Sequence, residues 1–563
     1  MTISAASMQK DVYKEFHVHA YHPDVTEVYS NFTSRSGKWS NIEDNDTVNF
    51  VGLQYFIMDY LIEEWKESFF SLPLDVAVGR HKRILSAMLG YPVNVQYLID
   101  LHELGYLPLE IKALTEGTAV PYQVAPITFR NTLPGFQWLP NMIETVFSCE
   151  NWMMQTTSTT STAYFKAFKE AFVKTGGPME ILPFMCHDFS MRGMTSRHTA
   201  AMSGFAHLTS GFAGTDTIPA VLFAEKYYGA DVDTELVGAS VNATEHSVTC
   251  SWMEEGEEAF LDYLMEYPAE KGILSVVADT WDFWEFVTVL LPAMKDKIMA
   301  RDGQVVVRPD SGDPVDMICG TASPLDFGSL REAVKYFYDE VLDQTPHGDG
   351  GEYEVSRKCL IQGEPSFVKF DIEWNRHDKQ FYYAEDWCNV KSGPCEFSPE
   401  EKGLIECLWD TFGGTVTYEG YKMLDSHIGA IYGDAITLGR QREILDKLIA
   451  KGFVPSIVLG VGSYSFQGVT RDTHGSAVKA TNVLKNGVDV PIFKDPKTDR
   501  SKKSAKGLLS VHCDDDGKLY MLDEQTREQE KGGLLETVFK DGVMLRTTTL
   551  AEIRAVVAFD NYS

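Results

Sequence analysis

Gly303-Gln304-Val305-Val306-Val307-Arg308-Pro309-Asp310-Ser311-Gly312-Asp313-Pro314 decides how this chain is read. Its β-branched run predicts a buried strand that stops in an arginine, an aspartate, a serine and turn-forming residues. In α/β proteins ligands gather at the carboxyl ends of parallel strands, so fixed charges at such a stop mark a site. The same grammar recurs along the chain. Ile273-Leu274-Ser275-Val276-Val277-Ala278 runs into Asp279-Thr280-Trp281-Asp282, and Ile428-Gly429-Ala430-Ile431-Tyr432 into Gly433-Asp434. Ser456-Ile457-Val458-Leu459 runs into Gly460-Val461-Gly462-Ser463, and Ile181-Leu182-Pro183-Phe184-Met185 leads to His187-Asp188-Phe189. Together these junctions predict an α/β fold with a parallel, barrel-like core and its site on the carboxyl rim.

The 563 residues suffice for two or three structural units, and 44% hydrophobic with 12% aromatic residues suits a packed core. A formal charge of -31 argues against a general nucleic-acid surface, while leaving room for a local basic pocket that binds a small anion. Phe286-Val287-Thr288-Val289-Leu290-Leu291 is too short to cross a bilayer, so no membrane partner is expected. The first residues carry no basic region followed by an apolar core, which predicts a cytoplasmic protein. The nine cysteines are odd in number and scattered, as expected of free thiols in a reducing compartment. Cys388, Cys395 and Cys407 lack the spacing of a zinc knuckle.

Residues 1–150 read as an α+β region, with a helix over Gly52–Phe70 and short strands between Leu107 and Ala125. A helix is expected over 156–178. Strands and helices then alternate, defining a barrel-like catalytic domain over 151–494. Residues 321–418 interrupt the rhythm, and their many aromatic side chains predict a folded insertion. The tail alternates as β-structure around a turn at Asp514-Asp515-Asp516-Gly517, so 495–563 is expected to complete the N-terminal region.

Several residues could carry chemistry. Lys494, Lys497, Arg500, Lys502, Lys503 and Lys506 invert the local charge of an acidic chain; a solvated loop and a phosphate contact both account for them. Arg471 and Lys479 are expected to flank a helix opened by Gly460–Gly468, whose backbone N–H groups could hold phosphate. His246 is either structural or held by Asp279, which would fix its tautomer and favour its cation. Phe189, three residues before Arg192, is a stacking surface for a flat ring or a core residue.

These pieces, in this order, resemble the nicotinamide phosphoribosyltransferase family. The resemblance rests on Asp11-Val12-Tyr13-Lys14, Gly52-Leu53-Gln54-Tyr55, His187-Asp188-Phe189-Ser190-Met191-Arg192-Gly193 and Gly214-Thr215-Asp216-Thr217. It continues through Glu245-His246-Ser247, Arg308-Pro309-Asp310-Ser311-Gly312, Thr470-Arg471-Asp472, Phe493-Lys494-Asp495-Pro496 and Arg500-Ser501-Lys502-Lys503. It implies an irregular barrel-like type II phosphoribosyltransferase core with a smaller β-rich domain built from both chain ends. It also implies a homodimer with active sites at the interface, Phe189 and Tyr13 of opposite subunits enclosing the nicotinamide ring. Asp216 would accept from the amide nitrogen and Arg308 would approach the amide oxygen. Asp310 and Asp434 would bind the ribose hydroxyls. Arg192, Ser240, Gly462, Ser463, Arg471, Lys479 and Lys494 would hold ribose or phosphate. His246, supported by Asp279 and near Asp310, would be the histidine phosphorylated by ATP. The implied substrates are nicotinamide and 5-phosphoribosyl 1-pyrophosphate, with Mg²⁺ as cofactor and ATP as an activating co-substrate; no protein metal ligand is assigned.

The sequence departs from the family pattern in places. The glycine run of the phosphate loop appears as Gly462-Ser463-Tyr464-Ser465, and Ala477 stands where some relatives carry a serine. The interval from Thr321 to Glu419 is much longer than in the compact animal enzymes of the family, and the resemblance assigns it no role. Nicotinate phosphoribosyl transfer is the nearest rival, opposed by the carboxylate of Asp216. A non-catalytic binding or signalling protein leaves the charged strand ends unexplained, and a glycosidase leaves the basic loop unexplained.

Overall fold

The computed structural model describes every residue except 1–4, 268, 345–351, 376–379, 384–388, 434, 495–503 and 563. The chain packs as two compact units. One comprises Met1–Lys166, His187–Ala239 and Gly462–Ser563; the other comprises Ala167–Cys186 and Ser240–Val461.

The second unit is built on parallel strands. Asn242–Ala243, Lys271–Val277, Asp302–Arg308, Ile428–Tyr432 and Val458–Val461 lie side by side in that order. Leu274, Val305, Val307, Ile428 and Leu459 are buried, as expected of strands covered on both faces. Register positions the chemistry. Arg308 pairs with Val277, and Val307 with Ala430, so the charged stops after three strands fall at one edge. Ile181–Met185 is not a strand: Met179–Phe184 is a 3₁₀ turn, and the strand is Cys186–Asp188. Pro183 lacks the N–H that a ladder needs.

Within 321–418, the helix Leu330–Gln344 packs on a sheet containing Glu352–Ile361, Glu364–Asn375 and Lys391–Pro394. Val334, Phe337, Val355, Val368 and Phe370 form a hydrophobic cluster of its own there.

In the first unit, strands from both ends of the chain share one sheet. Its order is Val488–Pro491, Ala477–Lys485, Val25–Thr33, Ile127–Asn131, Leu109–Ala113, Glu536–Lys540 and Val543–Met544. The helix expected from 156 begins at Leu139 and runs to Thr175. Residues 187–239, which the alternation places within 151–494, pack in the unit holding both chain ends. Phe205, Phe223 and Tyr228 bury themselves with Ile553 and Val557 of the C-terminal helix. Arg554 of that helix donates to the carbonyls of Leu208 and Val237, each at 2.8 Å. Among the described residues, no helix is long and apolar enough to cross a membrane.

Candidate active site

The second unit gathers His246, Asp279, Arg308 and Asp310 at the carboxyl ends of its strands. Asp279 follows the strand Lys271–Val277, and its side chain is only 4% exposed. Its Oδ2 accepts the Asp310 backbone N–H at 3.0 Å and the Ser311 hydroxyl at 2.6 Å. Its buried Oδ1 has no hydrogen-bond partner among the described residues and lies 3.7 Å from His246 Nε2. Asp310 Oδ2 lies 3.5 Å from the same nitrogen. The Thr280 hydroxyl is 3.3 Å from His246 Nδ1. His246 opens the short helix His246–Cys250, with its side chain 44% exposed. Both carboxylates therefore face the same imidazole nitrogen. The nearby Glu257 carboxyl is pushed up to about 7, first by burial and then by Glu285, Asp279 and Asp282. Arg308 reaches Asp310 Oδ1 from Nη2 at 3.4 Å. A Cβ at Gly433 would approach that same oxygen to 3.0 Å, so the glycine gives these side chains room. Asp434, expected beside them, lies outside the described residues.

The first unit holds the residues expected around the base. The strand Cys186–Asp188 sets His187 opposite Gly214. Phe189 follows, half-buried, its ring centroid 4.6 Å from that of His187. Asp216 leaves the neighbouring strand, and its N–H is accepted by the Asp188 carbonyl at 3.0 Å. His187 Nε2 lies 2.9 Å from Asp216 Oδ1 and donates to that carboxylate. Beneath them, His207 is wedged between the Ser161 hydroxyl at Nδ1 (3.1 Å) and the Gly214 carbonyl at Nε2 (3.2 Å).

The first unit also concentrates cations. Burial pulls the Lys479 ammonium below its ordinary value; Glu144, 4.0 Å away, opposes that shift, and Arg35, Lys494 and Arg471 add repulsion. Positive groups that oppose one another's charge are stabilised by an anion. Lys479, Arg35 and Ala477 line a cavity of about 820 Å³, and Tyr13, Lys14 and Arg471 line another of about 250 Å³. Tyr13 is 58% exposed, at the start of the helix Tyr13–Ala20. Arg192 is exposed in the turn Met191–Gly193. A Cβ on Gly193 would overlap the Ser463 hydroxyl, so this glycine admits the Gly462–Ser465 loop. Gly462 caps a helix of one short turn, Ser463–Gln467. The helix expected from Gly460–Gly468 ends at Gln467: Arg471 sits in a turn beyond it and Lys479 on the strand Ala477–Lys485. The β-branched alternation of that strand outweighs the helix signal. Ser240 is exposed, two residues before Asn242–Ala243. Lys494 is exposed, while Lys497, Arg500, Lys502 and Lys503 lie outside the described residues.

Sequence reasoning did not single out His187, Arg35 or Glu257. Arg35 carries a faint signal, a cation in the polar stretch Ser34–Lys38 directly after a strand. The other two act through neighbours distant in sequence.

The nicotinate phosphoribosyltransferase (NAPRTase) family model matches residues 184–365 and 375–543. A nicotinamide phosphoribosyltransferase of Acinetobacter baylyi is 41% identical over 562 residues, covering 97% of this chain and 96% of that protein. Another, from Xanthomonas campestris pv. campestris, is 28% identical and covers 97% of each chain. The crystal structure of nicotinate-nucleotide pyrophosphorylase from Pyrococcus furiosus covers all of this chain and 98% of its own. Its TM-score of 0.51 at 12% identity is a likeness of fold alone. Together, the fold and these relatives define a phosphoribosyltransferase of pyridine-nucleotide metabolism with type II architecture. The chain belongs to the nicotinate phosphoribosyltransferase (NAPRTase) family.

Proposed function

We propose that the enzyme transfers the phosphoribosyl group from 5-phosphoribosyl 1-pyrophosphate to nicotinamide, yielding nicotinamide mononucleotide and pyrophosphate. The observation that carries this reading is the carboxylate of Asp216, 47% exposed and held by His187 beside Phe189. A carboxylate there accepts from an amide N–H and repels a carboxylate base. The 41% and 28% identical relatives named nicotinamide phosphoribosyltransferase support it.

In this reading the pyridine nitrogen lone pair attacks the anomeric carbon and needs no general base. The new N–C bond forms as the bond to the diphosphate oxygen breaks, and that oxygen keeps the electron pair. Phe189, with Tyr13 of a second copy, stacks the ring, while Asp216 and Arg308 orient its amide. Asp310 and Asp434 take ribose hydroxyls. Arg192, Ser240, Gly462, Ser463, Arg471, Lys479 and Lys494 hold the phosphates, the cations acting most strongly as charge grows on the leaving group.

Mg²⁺, when present with the diphosphate, would supply further charge neutralisation there. Among the described residues no group of three or more His, Cys, Asp or Glu side chains could hold a metal ion. A cation of this kind would take its ligands from substrate oxygens and water. ATP is proposed to phosphorylate His246, which faces Asp279 and Asp310, with ADP as the leaving group.

The test is product formation by purified protein with 5-phosphoribosyl 1-pyrophosphate and Mg²⁺, offered nicotinamide or nicotinate, each with and without ATP. Nicotinamide mononucleotide, formed faster with ATP, is expected. Turnover of nicotinate alone would overturn the reading.

A further inference from the structure

We infer that His187 is a positioning residue that makes Asp216 a selector of amide over carboxylate bases. The inference rests on the proposed nicotinamide reaction and deepens it.

The two side chains differ in kind. That of His187 is 9% exposed, an anchor within the fold, whereas that of Asp216 is 47% exposed, a reader facing outward. Nε2–H of the anchor meets Oδ1 of the reader at 2.9 Å, the length of a charge-assisted hydrogen bond. The backbone beneath is already fixed. His187 pairs with Gly214, the Asp216 N–H is accepted by the Asp188 carbonyl, and the Thr217 N–H by the Thr215 hydroxyl at 3.0 Å. What His187 adds is the direction of the carboxylate on that fixed backbone.

The same imidazole also sets a spacing. Its ring is tilted 30° from Phe189, with centroids 4.6 Å apart. It therefore touches both the ring proposed to stack on the base and the carboxylate proposed to read the amide. A carboxylate swung out of line loses an amide contact and loses its repulsion of an acidic base at the same stroke. Its orientation therefore bears on the choice between bases more than on turnover of either.

The experiment replaces His187 with Phe, which keeps a ring and removes the donor, with Asn, whose donor is too short, and with Gln, whose donor has the reach. Steady-state kinetics are measured with nicotinamide and nicotinate, alone and in an Asp216→Ala background. For His187→Phe and His187→Asn, kcat/KM for nicotinamide is expected to fall about 10- to 100-fold, mainly through KM, while that for nicotinate holds or rises. His187→Gln should keep most of the selectivity. In the Asp216→Ala background the effect of His187→Phe should shrink below about threefold. Equal losses for both bases, or an undiminished effect without Asp216, would assign His187 a structural role and overturn the inference. If His187→Phe does not fold, the Asn and Gln variants decide the question alone. Wild-type protein that does not use nicotinamide defeats the proposed function; selective wild type with equally selective variants defeats this inference alone.

Discussion

Asp279 accepts the backbone N–H of Asp310 at 3.0 Å, so a single buried carboxylate ties the ends of two adjacent parallel strands. The other oxygen of Asp279 is turned to His246, 3.7 Å away. One oxygen holds the backbone, the other faces the imidazole. Asp279→Asn keeps an acceptor for Asp310 but removes the charge facing His246. It should leave the nicotinamide reaction without ATP within about fivefold and abolish most ATP stimulation. Asp279→Ala removes both and should lower kcat about 10²–10³-fold, the usual scale for losing one preorganised group. Initial rates with and without ATP, with circular dichroism as a folding control, separate the two.

The cations around Lys479 predict a split in kinetic constants. Lys479→Ala, Arg471→Ala and Arg35→Ala should each raise KM for 5-phosphoribosyl 1-pyrophosphate about tenfold, as expected when one charge-assisted contact is lost. KM for nicotinamide should move less than about threefold. The three variants should also weaken the salt dependence of kcat/KM.

Gly193→Ala places a methyl group on the Ser463 hydroxyl. Overpacking of this kind costs about 1–3 kcal/mol, and the Gly462–Ser465 loop gives way first. The expected result is roughly a tenfold loss in kcat/KM for the phosphoribosyl donor. A second change, Ser463→Ala, should restore part of it.

Acid should loosen the packing around His207 and His474. Burial, first among its causes, pushes the His207 imidazole down to about 4, against an ordinary 6.5, and His474 likewise to about 4. Both folded values are depressed, so the fold prefers the neutral rings. That preference carries no penalty above about pH 6.5 and costs stability progressively as pH falls towards 4, at most roughly 3 kcal/mol per histidine. Urea midpoints measured from pH 7 to pH 4 should fall steeply in the wild type and less in His207→Gln.

Much of this architecture is legible in residues alone, because a parallel strand announces itself twice: by a β-branched run, and by the charge where the run stops. Val305-Val306-Val307 before Arg308 and Ile428–Tyr432 before Gly433 are read directly. Pro183 misleads, since the apolar stretch around it forms a 3₁₀ turn once its missing N–H is counted. Lys479 misleads too, because the glycines before it suggest a helix that lasts five residues while its own neighbours alternate as a strand. His187 stayed hidden for another reason. Its importance lies in a partner 29 positions away, and such pairing comes from strand register rather than from local pattern.

The central claim is that this enzyme prefers nicotinamide. It is tested most directly by competition: equal nicotinamide and nicotinate, one pool of 5-phosphoribosyl 1-pyrophosphate with Mg²⁺, and both mononucleotides counted by mass spectrometry in the same reaction. The account predicts nicotinamide mononucleotide in excess by about 100-fold or more, and an excess that collapses in Asp216→Ser. Nicotinate mononucleotide as the main product of the wild type would contradict it.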